Sequence, residues 1–265
     1  MTGSLGRIYA MVMRHVYLYR GSWPRIAELT YWPVMQMLTW GLLSQFLVTN
    51  STFVAQAFGV LIAAVLLWDV LFRGNVGVAV SFLEEMWSRN LGQLFASPLR
   101  PWEWAVALVT VGLLRVVIGI VPAALLCIPL YHYSIFDRGL PLLAFFANLM
   151  AFGAAAGVAV SAIVLRYGMG AENLAWVAIF AVAPLTGVYY PISTLPEWIQ
   201  PLAYILPSTF VFEGMRGVLL DHMFRMDYFG YAAALNVVYS AIAIGIFLHI
   251  FRIARVRGLL LQMGE

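Results

Sequence analysis

Cut wherever charges, proline, glycine or turn residues interrupt it, this 265-residue sequence falls into six apolar stretches of about 20 residues, the length that crosses about 30 Å of hydrocarbon as helix. They occupy 25–48, 53–72, 104–131, 140–165, 173–190 and 228–251. Apolar residues make up 63% of the chain and charged residues 10%, against about 25% charged in a soluble domain. With a mean hydropathy of +0.89, so much apolar surface exceeds what a water-soluble core of this length can bury. The expected class is an all-α integral membrane protein with six transmembrane helices in a single domain, 1–265.

The polar inventory narrows the chemistry. All fifteen basic residues are Arg and none is Lys, which excludes a Walker A phosphate loop and a Schiff-base nucleophile in this sequence. The single cysteine, Cys127, stands in an apolar run and reads as a small hydrophobe, with no internal disulfide or Cys-rich zinc site. His15, His132, His222 and His249 lack metal-ligand spacing. No G-x-S-x-G elbow or acidic cluster is present. No catalytic, cofactor-binding or metal-binding residue is therefore assigned, and no nucleic acid is expected as a partner.

Residues 4–21 read as an amphipathic interfacial helix. Arg7, Arg14 and Arg20 interrupt any secretory h-region, while Arg7 and Arg14 share one edge that would meet anionic headgroups. Ser22 before Trp23-Pro24 is a restart signal for the first span. With both termini cytoplasmic, eleven arginines lie inside, three (Arg138, Arg216, Arg225) lie outside, and Arg115 falls within a span. The positive-inside rule selects that orientation.

Two connections exceed a turn. The stretch 81–98 is expected to be a cytoplasmic helix ending before Pro98, and 192–221 a re-entrant or interfacial hairpin on the outer side. The hairpin contains apolar pieces 195–206 and 210–220 around Pro207-Ser208. Thr194-Leu-Pro-Glu197 has the form of a capping box with Pro at the first helical position, and Ser208 could cap the second piece.

Few side chains stand out. Asp69 and Arg73, four apart near the expected cytoplasmic end of the second span, suit an anchored pair or a proton relay. Arg115 inside a span needs partners or water, so it either holds an anionic headgroup or bonds neighbouring helices. Gly153, Gly157 and Ser161 place a small residue at every fourth position, a packing face either internal or intersubunit. Pro122, Pro129 and Pro184 would kink the third and fifth spans. Tyr189 and Tyr190 fit an aromatic belt or an outer gate, and Glu213 and Arg216, three apart, fit a surface pair or a gating pair.

Taken in order, EEMWSRNLGQLFASPLRPWEW at 84–104 and YYPISTLPEWIQPLAYILPSTFVFEGMRGVLL at 189–220 resemble the permease subunit of type-2 ABC exporters. That family has an acidic pair opening a cytoplasmic helix that runs into Ser-Pro-x-Arg-Pro, then Tyr-Pro, Leu-Pro-x-Trp and Glu-Gly-x-Arg-Gly elements before the last span. The resemblance implies a half-transporter in the cytoplasmic (inner) membrane. It would pair with a second permease copy, with membrane lipid around it, and with two separate ATP-binding subunits that hold ATP and magnesium. It further implies that 81–98 is the coupling helix, with Glu84, Glu85, Arg89 and Gln93 as polar contacts and Trp87 and Leu91 as apolar anchors, and that the outer hairpin caps the exit. The absence of a basic Arg-Asp signature in MTGSLGRIYAMVMRHVYLYR points towards a lipid-like, drug or otherwise amphiphilic cargo rather than teichoic acid or polysaccharide.

Two other readings compete. A lipid-modifying membrane enzyme would use Arg115 on a phosphate but lacks an acid/base cluster. An ion-coupled carrier would use Asp69 and Arg115, although paired broken helices in inverted repeats are not evident.

Overall fold

The computed structural model describes residues 3–50, 58–132 and 134–258. These form helices joined by short turns, with no strand among them. In order they are α1 (Ser4–Arg20), α2 (Trp23–Asn50), α3 (Phe58–Trp87), α4 (Leu91–Ala96), α5 (Pro101–Tyr131), α6 (Leu140–Tyr167), α7 (Leu174–Val182), α8 (Gln200–Ala203), α9 (Pro207–Leu220) and α10 (Met226–Val256).

Four of the described helices are long and apolar enough to cross a membrane: Val60–Trp87, Pro101–Tyr131, Leu140–Tyr167 and Met226–Val256. α2 has comparable length, 28 residues, but carries Arg25, Glu28 and Gln36. The run Met169–Leu185 is apolar and shorter. Its α-helical part stops at Val182, and a 3-10 turn containing Pro184 follows. The expected stretch 173–190 is thus helical only as far as Leu185, because proline withholds an amide proton and the chain turns at Gly187 with φ +63°.

α3 is the hub and packs on α2, α5, α6, α7 and α9. Buried residues fill 78% of its most apolar window, against 28% for α10, so α10 presents most of its surface outward. The α3–α6 seam is made by the small residues singled out in the sequence. A Cβ on Gly153 would stand 2.6 Å from the Leu71 carbonyl oxygen, and one on Gly157 2.6 Å from that of Asn75. Only glycine admits that approach. Ser161 returns its hydroxyl to the Gly157 carbonyl, 2.8 Å away, which satisfies it inside the seam. This small-residue face is therefore an internal one.

The structure corrects three expected boundaries. The second span does not end at residue 72; its helix continues to Trp87. The polar residues read as a stop have partners: Arg73 pairs with Asp69 at 2.6 Å and Asn75 donates to the Ala175 carbonyl at 2.8 Å; further on, Glu84 and Glu85 meet guanidinium groups. Asp69 and Arg73 consequently lie mid-helix, while the predicted start of that span at 53–57 falls outside the described residues. Next, 81–98 is not one helix. It breaks at 88–90, where Arg89 takes the left-handed conformation with φ 51°, and resumes as the six-residue α4. Lastly, the first hairpin piece, 195–206, forms turns and only the four-residue α8. The Thr194 capping box does not form, because its hydroxyl donates to the Pro191 carbonyl at 2.7 Å. Nor does Ser208 cap α9; that helix begins at Pro207, and the Ser208 hydroxyl is buried without a hydrogen-bond partner.

Candidate functional site

Two clusters of paired charge sit at opposite ends of the bundle, and a third pair lies between them. At the first end, α1 presents a stripe of Met11, His15 and Tyr19, all buried, spaced at the helical repeat. Arg7 and Arg14 border this stripe. The Arg7 guanidinium engages Glu103 through two bonds, Nη2 to Oε1 at 2.5 Å and Nε to Oε2 at 2.8 Å. Glu103 is wholly buried in the first turn of α5, where it also accepts the Arg100 backbone N–H at 2.9 Å. A carboxylate there satisfies an orphan helix donor and suits the helix dipole. In turn it raises the pKa of Arg7 above the ordinary guanidinium value.

Seven residues along the same edge, Arg14 reaches Glu85 at 2.6 Å. Glu85 is 2% exposed, and its other oxygen accepts from Asn90 Nδ2 at 3.1 Å. His15 Nε2 lies 3.7 Å from it. The neighbouring Glu84 pairs with Arg115 at 2.8 Å, and the Arg115 Nε donates to the Tyr19 hydroxyl. Arg115 originates mid-way along α5, and its stem passes Gly77 to bring the guanidinium down towards α1. A long arginine can leave the apolar zone in this way while its methylenes remain there. Arg115 is thus bonded to neighbouring helices, the second of its two sequence readings.

The expected coupling residues divide sharply by exposure. Glu85 and Leu91 are buried, Glu84 is half-buried, and Trp87, Arg89 and Gln93 are exposed. The carboxylates expected to be polar contacts for a partner are taken up by Arg115 and Arg14 of the same chain. Leu91 faces the chain's own core, so it is no external anchor. Beside it, Phe95 stacks edge-on against Trp104 at 5.0 Å and Phe251 at 4.4 Å, fastening α4 to α5 and α10. The Trp87 indole N–H donates to Glu172 at 3.3 Å, linking the α3 tip to the turn before α7.

The second cluster orders the reversal after α7. Arg216 donates to the carbonyls of Gly187, Val188 (3.2 Å) and Tyr190 (2.8 Å) and pairs with Glu213 at 3.0 Å. Glu213 accepts the Ile192 N–H at 2.8 Å. Burial lowers the pKa of Arg216, against the pull of Glu213. The Glu213/Arg216 pair is therefore a staple on residues 187–192. Tyr189 stacks on Trp40 of α2 with centroids 5.0 Å apart, and the Tyr190 hydroxyl donates to the Pro184 carbonyl at 2.6 Å.

Between the two ends, Arg73 Nε meets Asp69 Oδ2 at 2.6 Å with the guanidinium against Gly119. Each charge neutralises the other, which lowers the cost of placing them mid-span.

Sequence reasoning missed Glu103, Glu172 and Phe95, and it expected Trp104 in an aromatic belt at the headgroups, whereas that ring is fully buried. Only Glu103 carried a local signal: it stands three residues after Arg100 and two after Pro101, the third position of a proline-started helix. The others depend on helix packing.

A family model described as ABC-2 type transporter matches residues 7–220, from the first turn of α1 to the last residue of α9. No curated protein matches the chain.

Proposed function

The chain belongs to the ABC-2 type transporter family, as a multi-pass membrane permease that partners ATP-binding subunits, and from that premise we propose that it is the permease of an ATP-driven exporter. Two copies would form the export path, and two separate cytoplasmic ATPase subunits, holding ATP and magnesium, would drive it. The cargo in this reading is an amphiphilic or lipid-like molecule, a drug or a glycan. α2, α3, α5, α6, the run Met169–Leu185 and α10 would supply six crossings of the inner membrane. The α1 end would lie in the cytoplasm, as the arginine distribution favours, and 192–221 would cap the exit as a re-entrant segment. Glu213, Arg216, Tyr189 and Tyr190 would then shape the outer gate by holding its loop.

The observation that carries this reading is the construction of α4. On its inner face Leu91 is buried in the core and Phe95 is locked onto α5 and α10, while Trp87, Arg89 and Gln93 project outward beside it. An ATPase seated on that outward face would move α3, α5 and α10 together. The ion pairs of Glu84, Glu85 and Glu103 would carry α1 with them. In this scheme the acidic residues transmit force inside the permease, and the exposed Trp, Arg and Gln make the contact.

Pull-down of the tagged chain from its native membrane in gentle detergent, with mass spectrometry of what co-purifies, tests the proposal. The expected result is a stoichiometric P-loop ATPase that is lost from the Trp87→Ala, Arg89→Glu, Gln93→Ala triple variant while the thermal midpoint is retained. Absence of any ATPase after cross-linking would reject the exporter reading.

A further inference from the structure

α10 turns one continuous stripe outward. Tyr231, 59% exposed, opens it, and Ala234, Val238, Ala241, Gly245 and Leu248 follow at alternating steps of four and three, all of them exposed and so on one face of the helix. The next two positions of the same stripe are Arg252 and Arg255, both exposed. Among the described residues neither guanidinium has a carboxylate partner. A last helical turn favours a cation beside its free carbonyls, which accounts for Arg255 but not for Arg252, three residues earlier.

Length fixes where the stripe changes character. Arg252 is 21 positions beyond Tyr231, about 32 Å along the helix, the thickness of an approximately 30 Å hydrocarbon layer. No Asp, Glu or Arg stands between Asp227 and Arg252. Trp104 of α5 meets Phe247 at 6.0 Å, which sets the start of α5 level with the last turns of α10, and Trp102 there is 41% exposed, as suits an indole among headgroups. Arg252 and Arg255 therefore stand at the headgroups of the leaflet on the α4 side. From them Leu248, Gly245 and Ala241 reach inward over about 16 Å, half of the hydrocarbon, and nothing lies within 4 Å of where a Gly245 Cβ would stand, so that with Ala241 it leaves a shallow furrow.

Charge decides what covers such a face. A second copy seated on it by a twofold axis along the membrane normal would set α10 parallel to its counterpart, and Arg252 and Arg255 would meet their own equivalents with no carboxylate between them, an unfavourable like-charge contact. A phospholipid of net negative charge suits both halves of the stripe: two guanidinium groups that are neighbours on one helix face can hold its phosphate by charge-assisted hydrogen bonds, and an acyl chain fits the furrow. We propose that the outward stripe of α10 binds one anionic phospholipid of the leaflet on the α4 side, its headgroup held between Arg252 and Arg255 and an acyl chain lying over Leu248, Gly245 and Ala241. The site requires only that the chain resides in a membrane and stands independently of the ATP-driven reading.

The test titrates the purified full chain in detergent micelles with dioleoyl phosphatidylglycerol and with dioleoyl phosphatidylcholine, which share their acyl chains, and follows the first lipid adduct by native mass spectrometry. Phosphatidylglycerol should bind about thirtyfold tighter, the ratio expected of two arginines acting on an anionic headgroup. Arg252→Gln should cut that ratio about fivefold, and the Arg252→Gln, Arg255→Gln double variant should bring the two lipids level with unchanged helical circular dichroism. Arg257→Gln, which removes an exposed cation off the stripe, should leave the ratio within about twofold. An excess of glycerol 3-phosphate, the anion without the chains, should not displace phosphatidylglycerol. Equal affinities in the native chain, a preference that survives the double variant, an equal loss from Arg257→Gln, or displacement by glycerol 3-phosphate would each overturn the assignment. If the double variant fails to fold, Arg252→Gln and Arg257→Gln decide it. Should the native chain show no preference and Gly245→Leu abolish its self-association, the stripe belongs to a second copy and the proposal fails.

Discussion

The two ends of the bundle use arginine in opposite ways. At the α1 end, Arg7, Arg14 and Arg115 each meet a carboxylate from another helix: Glu103, Glu85 and Glu84. At the hairpin end, Arg216 meets mostly backbone carbonyls of a loop fewer than thirty residues away. The first arrangement joins rigid elements and depends on charge at both partners. The second holds a single reversal and depends on the planar fork of the guanidinium. A charge swap can therefore restore the first but not the second.

Breaking the α1 end should have the larger effect. Glu85→Lys would put a cation against Arg14 at a position 2% exposed; breaking a fully buried pair costs about 3–5 kcal/mol, and the exposure of Arg14, 36%, sets the cost here towards or below the lower end of that range. The expected outcome is a large fall in thermal midpoint in detergent, with α1 becoming open to trypsin at Arg14 and Arg20. Arg14→Glu combined with Glu85→Lys should recover much of the loss. A double variant no more stable than the single would show that the pair does not hold α1.

A reference without charge comes from the α3–α6 seam. Gly157→Val would drive its Cβ into the Asn75 carbonyl, 2.6 Å away, and the Val78 side chain at 2.8 Å. Overpacking of this kind costs about 1–3 kcal/mol. Denaturation should show that loss with trypsin sensitivity of α1 unchanged, which would separate global packing from the α1 attachment.

Arg216→Ala should cost less and act locally. Removing it strips hydrogen bonds from buried carbonyls, at about 1–3 kcal/mol, and should open residues 187–206 to proteolysis while α1 stays protected. Arg216→Lys should fail to restore protection, because a point ammonium cannot reach the same three carbonyls. Full rescue by lysine would place the function of the staple in its charge and erase the contrast between the two ends.

How far each end could be read from the sequence follows from the same contrast. Glu213/Arg216 and Asp69/Arg73 lie within one helical turn, so spacing revealed them, and spacing likewise revealed Gly153, Gly157 and Ser161. The partners of Arg7, Arg14 and Arg115 lie between 31 and 96 positions away, and no periodicity reports them. That blindness also misplaced the end of the second span. Arg73, Gly74 and Asn75 interrupt the apolar run until the Ala175 carbonyl, 100 positions away, is seen to accept from Asn75, after which the helix has no reason to end there. The first half of the hairpin failed for another reason: its capping pattern was genuine in type, but Pro191 lay close enough to take the Thr194 hydroxyl, and a side-chain bond to a nearby carbonyl competes with helix initiation.

The smallest effect is expected where the α3 tip touches the turn before α7. The Trp87 to Glu172 bond is exposed and 3.3 Å long, and Trp87 is 52% exposed, so Trp87→Phe removes a donor that water replaces. Stability should stay within about 0.5 kcal/mol of the native chain, as it should for Glu172→Gln, whose amide oxygen still accepts the indole N–H. If Trp87→Phe lowered the thermal midpoint as much as Arg216→Ala, the α1 end would owe its cohesion to the tip rather than to the three carboxylates. A neutral result together with weakened ATPase association would leave Trp87 with no structural duty inside the chain. Its indole would then be free to serve a partner seated on α4.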